Sequence, residues 1–192
     1  MQRPATGEQY RSRQVLLFVA LSINHQQIFT MKSRVNLSSY CKILTGIIFV
    51  TFTVICVTSY SEKALFYCMV GILAVIVTTG LLYAPRSITA DDNGIKVSSC
   101  LRSHGIAIEE IASVELYQPT MGAIRVWASG GFMGYWGIFR ERDTGNYTAY
   151  YGKSSDCFMV ILTTGKKYVL GCEDPQAMVD YIKANLRPTA AV

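Results

Sequence analysis

Two uncharged stretches, residues 43–60 and 64–84, are separated only by Ser61-Glu62-Lys63, and nothing else constrains this 192-residue chain as strongly. The stretches hold 18 and 21 residues. At about 1.5 Å per residue such helices reach roughly 27 and 31 Å, against a hydrocarbon core of about 30 Å. Each is long enough to cross a bilayer. Lipid forces every backbone polar group to bond internally, so β-branched residues such as Ile47, Ile48, Val50, Val75 and Val77 do not argue for strands here. The expected structure over 43–84 is a transmembrane helical hairpin. The alternative, a pair of core helices in a soluble bundle, needs a polar face that neither stretch supplies.

The distribution of charge gives an orientation. Lys32, Arg34 and Lys42 precede the first stretch and Arg86, Lys96 and Arg102 follow the second, while the connecting loop has Lys63 alone. Basic residues stay in the cytoplasm, so both termini are expected inside. The net charge of +5 is N-terminal: residues 1–42 hold six basic residues and one acid, whereas 85–192 hold eleven of each. A nucleic-acid module needs its positive potential on the folded domain, so nucleic acid is not an expected partner. Neither stretch contains Asp, Glu, Lys, Arg or His, and the spans therefore carry no ion or proton path of their own. Their threonines are expected to bond their own preceding turns. Gly46, Gly71 and Gly80 lack the Gly-x-x-x-Gly spacing of a dimer face.

Residues 1–42 read as a basic N-terminal arm. The apolar run 15–23 after Arg11 and Arg13 copies a secretory signal only superficially, because no small-x-small cleavage site follows. Met31-Lys32-Ser33-Arg34, just ahead of the first span, has the look of a natural start, which would make 1–30 an over-extended one.

Pro85 ends the second helix, having no N–H to continue it. Beyond it the chain reads as short strands at 87–90, 95–101, 105–108, 112–118, 123–128, 147–152, 157–163 and 167–171. Turn chemistry separates them at Asp91-Asp92-Asn93-Gly94, Pro119-Thr120-Met121-Gly122 and Thr164-Gly165. The period then changes. Asp174 is an N-cap with Pro175 at the first helical position, and Ala177, Met178, Tyr181, Ile182 and Leu186 line one face of a helix ending before Pro188. Residues 85–187 are thus expected to form an α+β domain, a bent antiparallel sheet or barrel closed by a C-terminal helix, followed by a short tail, 188–192.

This order resembles a pleckstrin-homology-like (PH-like) domain, in particular the membrane-tethered bacterial PH domains in which two spans precede the barrel. The likeness covers about 87–187. It is carried by Arg125-Val126-Trp127-Ala128-Ser129-Gly130-Gly131-Phe132-Met133-Gly134-Tyr135-Trp136-Gly137-Ile138-Phe139, by 157–162, by Lys166-Lys167-Tyr168-Val169-Leu170 and by Asp174-Pro175-Gln176-Ala177. The resemblance implies a multi-pass protein of the bacterial inner membrane with its domain on the cytoplasmic face. There it would act as an interaction or regulatory module without catalysis. An alternative is an accessory subunit whose spans pack on a transporter or membrane enzyme; a third is a small thiol enzyme. The implied partners are the lipid bilayer and a membrane or cytoplasmic protein. Phosphoinositide headgroups need clustered cations at the first hairpin loop, and Asp91-Asp92 there would repel them.

Within segment 130–139, Phe132, Tyr135, Trp136 and Phe139 fall at helical spacing, while four glycines oppose a helix. A shaped loop or one short turn is the expected outcome. With Trp127, these rings are the candidate residues for a partner or membrane interface; the competing reading is that they fold back over an open end of the barrel. No catalytic, metal or cofactor set emerges. The six cysteines at 41, 56, 68, 100, 157 and 172 include no C-x-x-C pair. Cys100 and His104 could form a nucleophile pair only with an orienting third group, and the sequence offers none. Glu109, Glu110 and Glu115 read as solvated carboxylates on a strand.

Overall fold

The computed structural model describes residues 30–120 and 122–186. Strand β1 (Met31–Arg34) leads into helix α1 (Ser39–Thr58), and helix α2 (Lys63–Tyr83) returns antiparallel to it into strand β2 (Pro85–Asp91). The first helix starts four residues before the apolar stretch because Ser38 caps it, its hydroxyl accepting the Cys41 N–H at 3.2 Å. The second ends where expected, with Pro85 opening β2 and the Ala84 N–H closing on the Gly80 carbonyl at 2.9 Å. Thr53, Thr58 and Thr79 donate to their own preceding turns, at 2.8 Å to Phe49, 3.0 Å to Val54 and 2.6 Å to Val75. Both helices are long and apolar enough to cross a membrane, and only 6% of each one's apolar window is buried. That leaves the soluble-bundle alternative without the packing it requires.

The rest is two sheets. Strands β3 (Gly94–Ser99) and β4 (Ser103–Ala107) extend β1 and β2 into a four-stranded antiparallel sheet in sequence order. The second sheet contains β5 (Ile111–Leu116), β6 (Ile124–Gly131), β7 (Gly134–Glu141), β8 (Gly145–Tyr151), β9 (Cys157–Leu162) and β10 (Lys167–Gly171), in the order β5-β9-β10-β8-β7-β6. The sheets do not close into a barrel. One pairing departs from the antiparallel expectation: β10 lies parallel to β8, with Tyr168 opposite Thr148 and Leu170 opposite Tyr150. The link after β8 carries the chain past one vacant strand position, which β10 fills from the β9 hairpin.

Two cores lie on opposite faces of the six-stranded sheet, because side chains alternate along a strand. Phe158, Val160 and Leu162 of β9 join Ile88, Ile95 and Val97 of the other sheet, and Cys157 and Met159 join Phe139, Tyr147 and Ala149. Helix α3 (Pro175–Asn185) covers the first core with Met178, Val179 and Ile182, while Tyr181 and Leu186 pack at its margin. The Asp174 carboxylate caps it, accepting the Ala177 N–H at 3.0 Å, with Pro175 in the first turn.

The N-terminal expectation needs correcting. Residues 31–42 are built into the fold and form no arm: Met31 pairs with Ala90 and Arg34 with Ser87. Met31 and Val35 pack against the first core, while the cations between them face out, an alternation that suits an edge strand. The run 15–23, the question of the start at 1–30 and the tail 188–192 lie outside the described residues.

Candidate membrane and partner interface

The segment expected to be a shaped loop is the second half of a β-hairpin. Strands β6 and β7 pair from Ile124 opposite Arg140 to Gly131 opposite Gly134, with a bulge between Arg125 and Trp127. Phe132-Met133 forms the two-residue turn, and Met133 adopts the left-handed conformation, φ 53°. Helical spacing of the rings is thus incidental. The glycines that speak against a helix serve the hairpin instead: Gly137 has φ 111°, and a Cβ there would overlap the Trp127 carbonyl and reach Ala128 Cα at 2.7 Å. Only glycine lets the strands approach this closely.

Alternation along β7 then distributes the rings to separate places. Tyr135 stacks on Tyr151 with centroids 4.8 Å apart, and Phe139 stacks on Tyr147 at 6.0 Å. Phe139 is 2% exposed, so this candidate belongs to the second core and not to an interface. Trp136 points the other way, stacked on Tyr83 of α2 at 5.5 Å, and its indole N–H donates to the Phe132 carbonyl at 3.2 Å. Phe132 meets Phe49 of α1 at 6.2 Å. Trp127 is 82% exposed on β6, an edge strand that also exposes Ile124 and Val126.

The hairpin tip is seated against both apolar helices. Thr45, unlike the back-bonding threonines, accepts the Met133 backbone N–H at 2.9 Å. Gly80 gives the tip its space: a Cβ there would stand 2.7 Å from Met133 Sδ and 2.9 Å from a Phe132 ring carbon, whereas at Gly71 it would meet nothing within 4 Å. Gly80 thus supports close packing, but of a strand turn on a helix and not of helix on helix. Gly80→Leu is expected to destabilise the purified protein by about 1–3 kcal/mol through overpacking, with Gly71→Leu neutral or slightly stabilising. Thermal unfolding of the two variants in one detergent checks the contrast.

Segment 35–38 straps the sheets to the helices. The Val35 N–H donates to the Arg86 carbonyl and the Ser38 N–H to the Gly152 carbonyl, both at 3.0 Å; the Glu173 N–H donates to the Arg34 carbonyl at 2.9 Å. The Cys41 thiol also points at Gly152, 3.7 Å from its carbonyl.

Glu141, the one buried carboxyl among the domain's described residues, has no signal in the sequence. It accepts the phenol protons of Tyr117 at 2.6 Å and Tyr147 at 2.7 Å and the Thr120 N–H at 3.2 Å. Burial and the bond to Glu141 push the Tyr117 phenol up to about 12, and burial raises Tyr147 as well. Both phenols stay protonated donors at neutral pH. The constellation pins the segment after β5 across the end of β7.

Cys100 and His104 are not brought together. The Cys100 thiol accepts from Arg86 at 3.2 Å, while His104 rests on the Tyr168 and Tyr150 rings at 5.6 and 6.3 Å. Burial first, then Arg102, lowers the His104 pKa. Burial raises both Cys157 and Cys172, the latter to about 11, which keeps these thiols protonated. Among the described residues no group of three or more His, Cys, Asp or Glu could hold a metal ion.

In comparison with known families, residues 86–186 match the model described as "Bacterial PH domain". No curated protein and no solved structure matches the chain.

Proposed function

We propose, from the premise that this chain belongs to the bacterial PH domain family, that it is an interaction or regulatory module anchored at the cytoplasmic face of the bacterial inner membrane. One observation carries the reading. The strand before the first apolar helix and the strand after the second are neighbours in one sheet, so both ends of the helical pair lie on the domain's side. The excess of Lys and Arg on that side and the single Lys63 at the far loop favour the cytoplasm. The module is read as working by binding: the buried Glu141 carboxylate is engaged by three internal donors, and β6 presents exposed Ile124, Val126 and Trp127.

Trp127, with Ile124 and Val126 beside it, forms the contact surface, while Phe132 and Trp136 hold that surface against the helices. Phosphoinositides are disfavoured at the first hairpin loop, where Asp91 already accepts the Asn93 and Gly94 N–H groups at 2.9 and 3.1 Å and Asp92 adds a second negative charge. A membrane or cytoplasmic protein is the expected partner class.

Orientation is tested by labelling with a membrane-impermeant maleimide in a Cys100→Ser background. Glu62→Cys is expected to react in intact spheroplasts, and Lys166→Cys only after permeabilisation. The reverse pattern overturns the orientation, and labelling of both positions in sealed cells overturns the spans.

A further inference from the structure

Residues 126–139, between Arg125 and Arg140, hold no charged side chain, and this run is the whole distal part of the β6–β7 hairpin. Its turn is apolar as well. A two-residue hairpin turn ordinarily takes Asn, Asp or Gly where φ is positive, and here Met133 holds that place beside Phe132, both half-exposed. The contacts of the turn fix its depth. On the membrane-spanning reading, on which this inference rests, the 18 residues of the first uncharged stretch give roughly 27 Å of helix against a hydrocarbon core of about 30 Å, so none of that stretch is spare. Counted from Ile43 at about 1.5 Å per residue, Thr45 stands roughly 3 Å and Phe49 roughly 9 Å inside the boundary; counted back from Ala84, Gly80 stands roughly 6 Å inside. Met133 bonds to Thr45, Phe132 meets Phe49, and both lie against Gly80. The two helices thus place the turn at one level, among the acyl chains.

We propose that the tip of the β6–β7 hairpin is inserted in the cytoplasmic leaflet, the outer sides of Phe132 and Met133 resting against acyl chains, so that the bilayer is a partner of the sheet domain itself and not only of the helices. Hydrocarbon requires polar groups to bond internally. The Phe132 carbonyl accepts both the Trp136 indole N–H at 3.2 Å and the Ser129 hydroxyl at 3.3 Å, and the Met133 N–H is taken by the Thr45 hydroxyl at 2.9 Å. A turn in water has no need of such bonds. Phe132 also shares an apolar groove with Ile48, Phe52 and Ile76, so the tip is continuous with the lipid-facing flank of the helices. The unpaired edge of β6 is unsuited to lipid, which confines the inserted part to the turn and the side chains around it.

Trypsin cuts after Arg125 and Arg140 and so isolates the hairpin as one peptide, which lets the unaltered full chain be tested. The chain is reconstituted into phosphatidylcholine vesicles, irradiated with an apolar diazirine that partitions into the acyl region, digested and read by mass spectrometry. Peptide 126–140 is expected to carry tags at Phe132 and Met133, several-fold above the α3 peptide 168–183 and approaching the span peptides 43–63 and 64–86. A water-soluble diazirine should reverse the order of the hairpin and α3 peptides. Tagged spans with an untagged tip overturn the proposal while leaving the spans in place. So do tags confined to Trp127, or a tip reached by neither reagent, as when a second copy or another protein covers it. Span peptides that escape the apolar reagent overturn the membrane-spanning reading itself, and the inserted tip with it.

Discussion

Glu141→Ala is expected to lower the stability of the sheet domain by about 3–4 kcal/mol, because it strands the buried Tyr147 phenol and removes two further, part-buried bonds to the same charged acceptor. The phenols of Tyr117 and Tyr147 and the Thr120 N–H all lose their acceptor, and for Tyr147, 2% exposed, water is no ready substitute. Tyr117 retains its contact with the Thr144 hydroxyl at 2.8 Å, which moderates the loss. Glu141→Gln keeps a carbonyl oxygen and should fall between wild type and Ala. Denaturant unfolding in mild detergent, followed by near-ultraviolet circular dichroism of the tyrosines, measures the series. A loss below about 1 kcal/mol for Ala, the worth of a single ordinary hydrogen bond, would contradict the role given to the carboxyl.

Val50→Asp should be nearly as costly, about 3 kcal/mol against insertion, if α1 crosses the bilayer. Val50 is 65% exposed near the middle of that helix. In water a change of this kind would be neutral or would improve solubility. The two solvents therefore predict different outcomes for the same exposed side chain. The readout is the fraction of chain that resists carbonate extraction, with Val50→Leu as the control that stays in the membrane. A Val50→Asp chain fully retained and folded would count against lipid around α1.

Most of the domain was legible because its signals are local. The Asp91-to-Gly94 turn, the Asp174 cap with Pro175 and the alternating apolar runs of β9 and β10 each declare their structure within a few residues. Strand β1 is not legible in the sequence, for a physical reason. Its alternation of Met31, Ser33 and Val35 with Lys32 and Arg34 is too short to stand out from a basic segment, and its partner lies beyond both helices. Strand β7 was hidden by glycines that ordinarily break strands but here set the approach of β6. Glu141 sits between Arg140 and Arg142, a setting that reads as solvated charge, and its donor Tyr117 is 24 residues away. The seat of the hairpin tip on Thr45 and Gly80 has no sequence signal, since it joins residues 88 positions apart in the case of Met133 and Thr45.

The pairing of β1 with β2 also governs the order of assembly. A ribosome releases β1 first, yet the strand that must receive it emerges only after both helices have been made. Until the chain turns back, the early strand waits alone; if the second helix fails to return, β2 never reaches it and its own border stays open to proteases and to strands of other chains. A finished sheet is therefore a receipt for a completed round trip, issued by the fold itself.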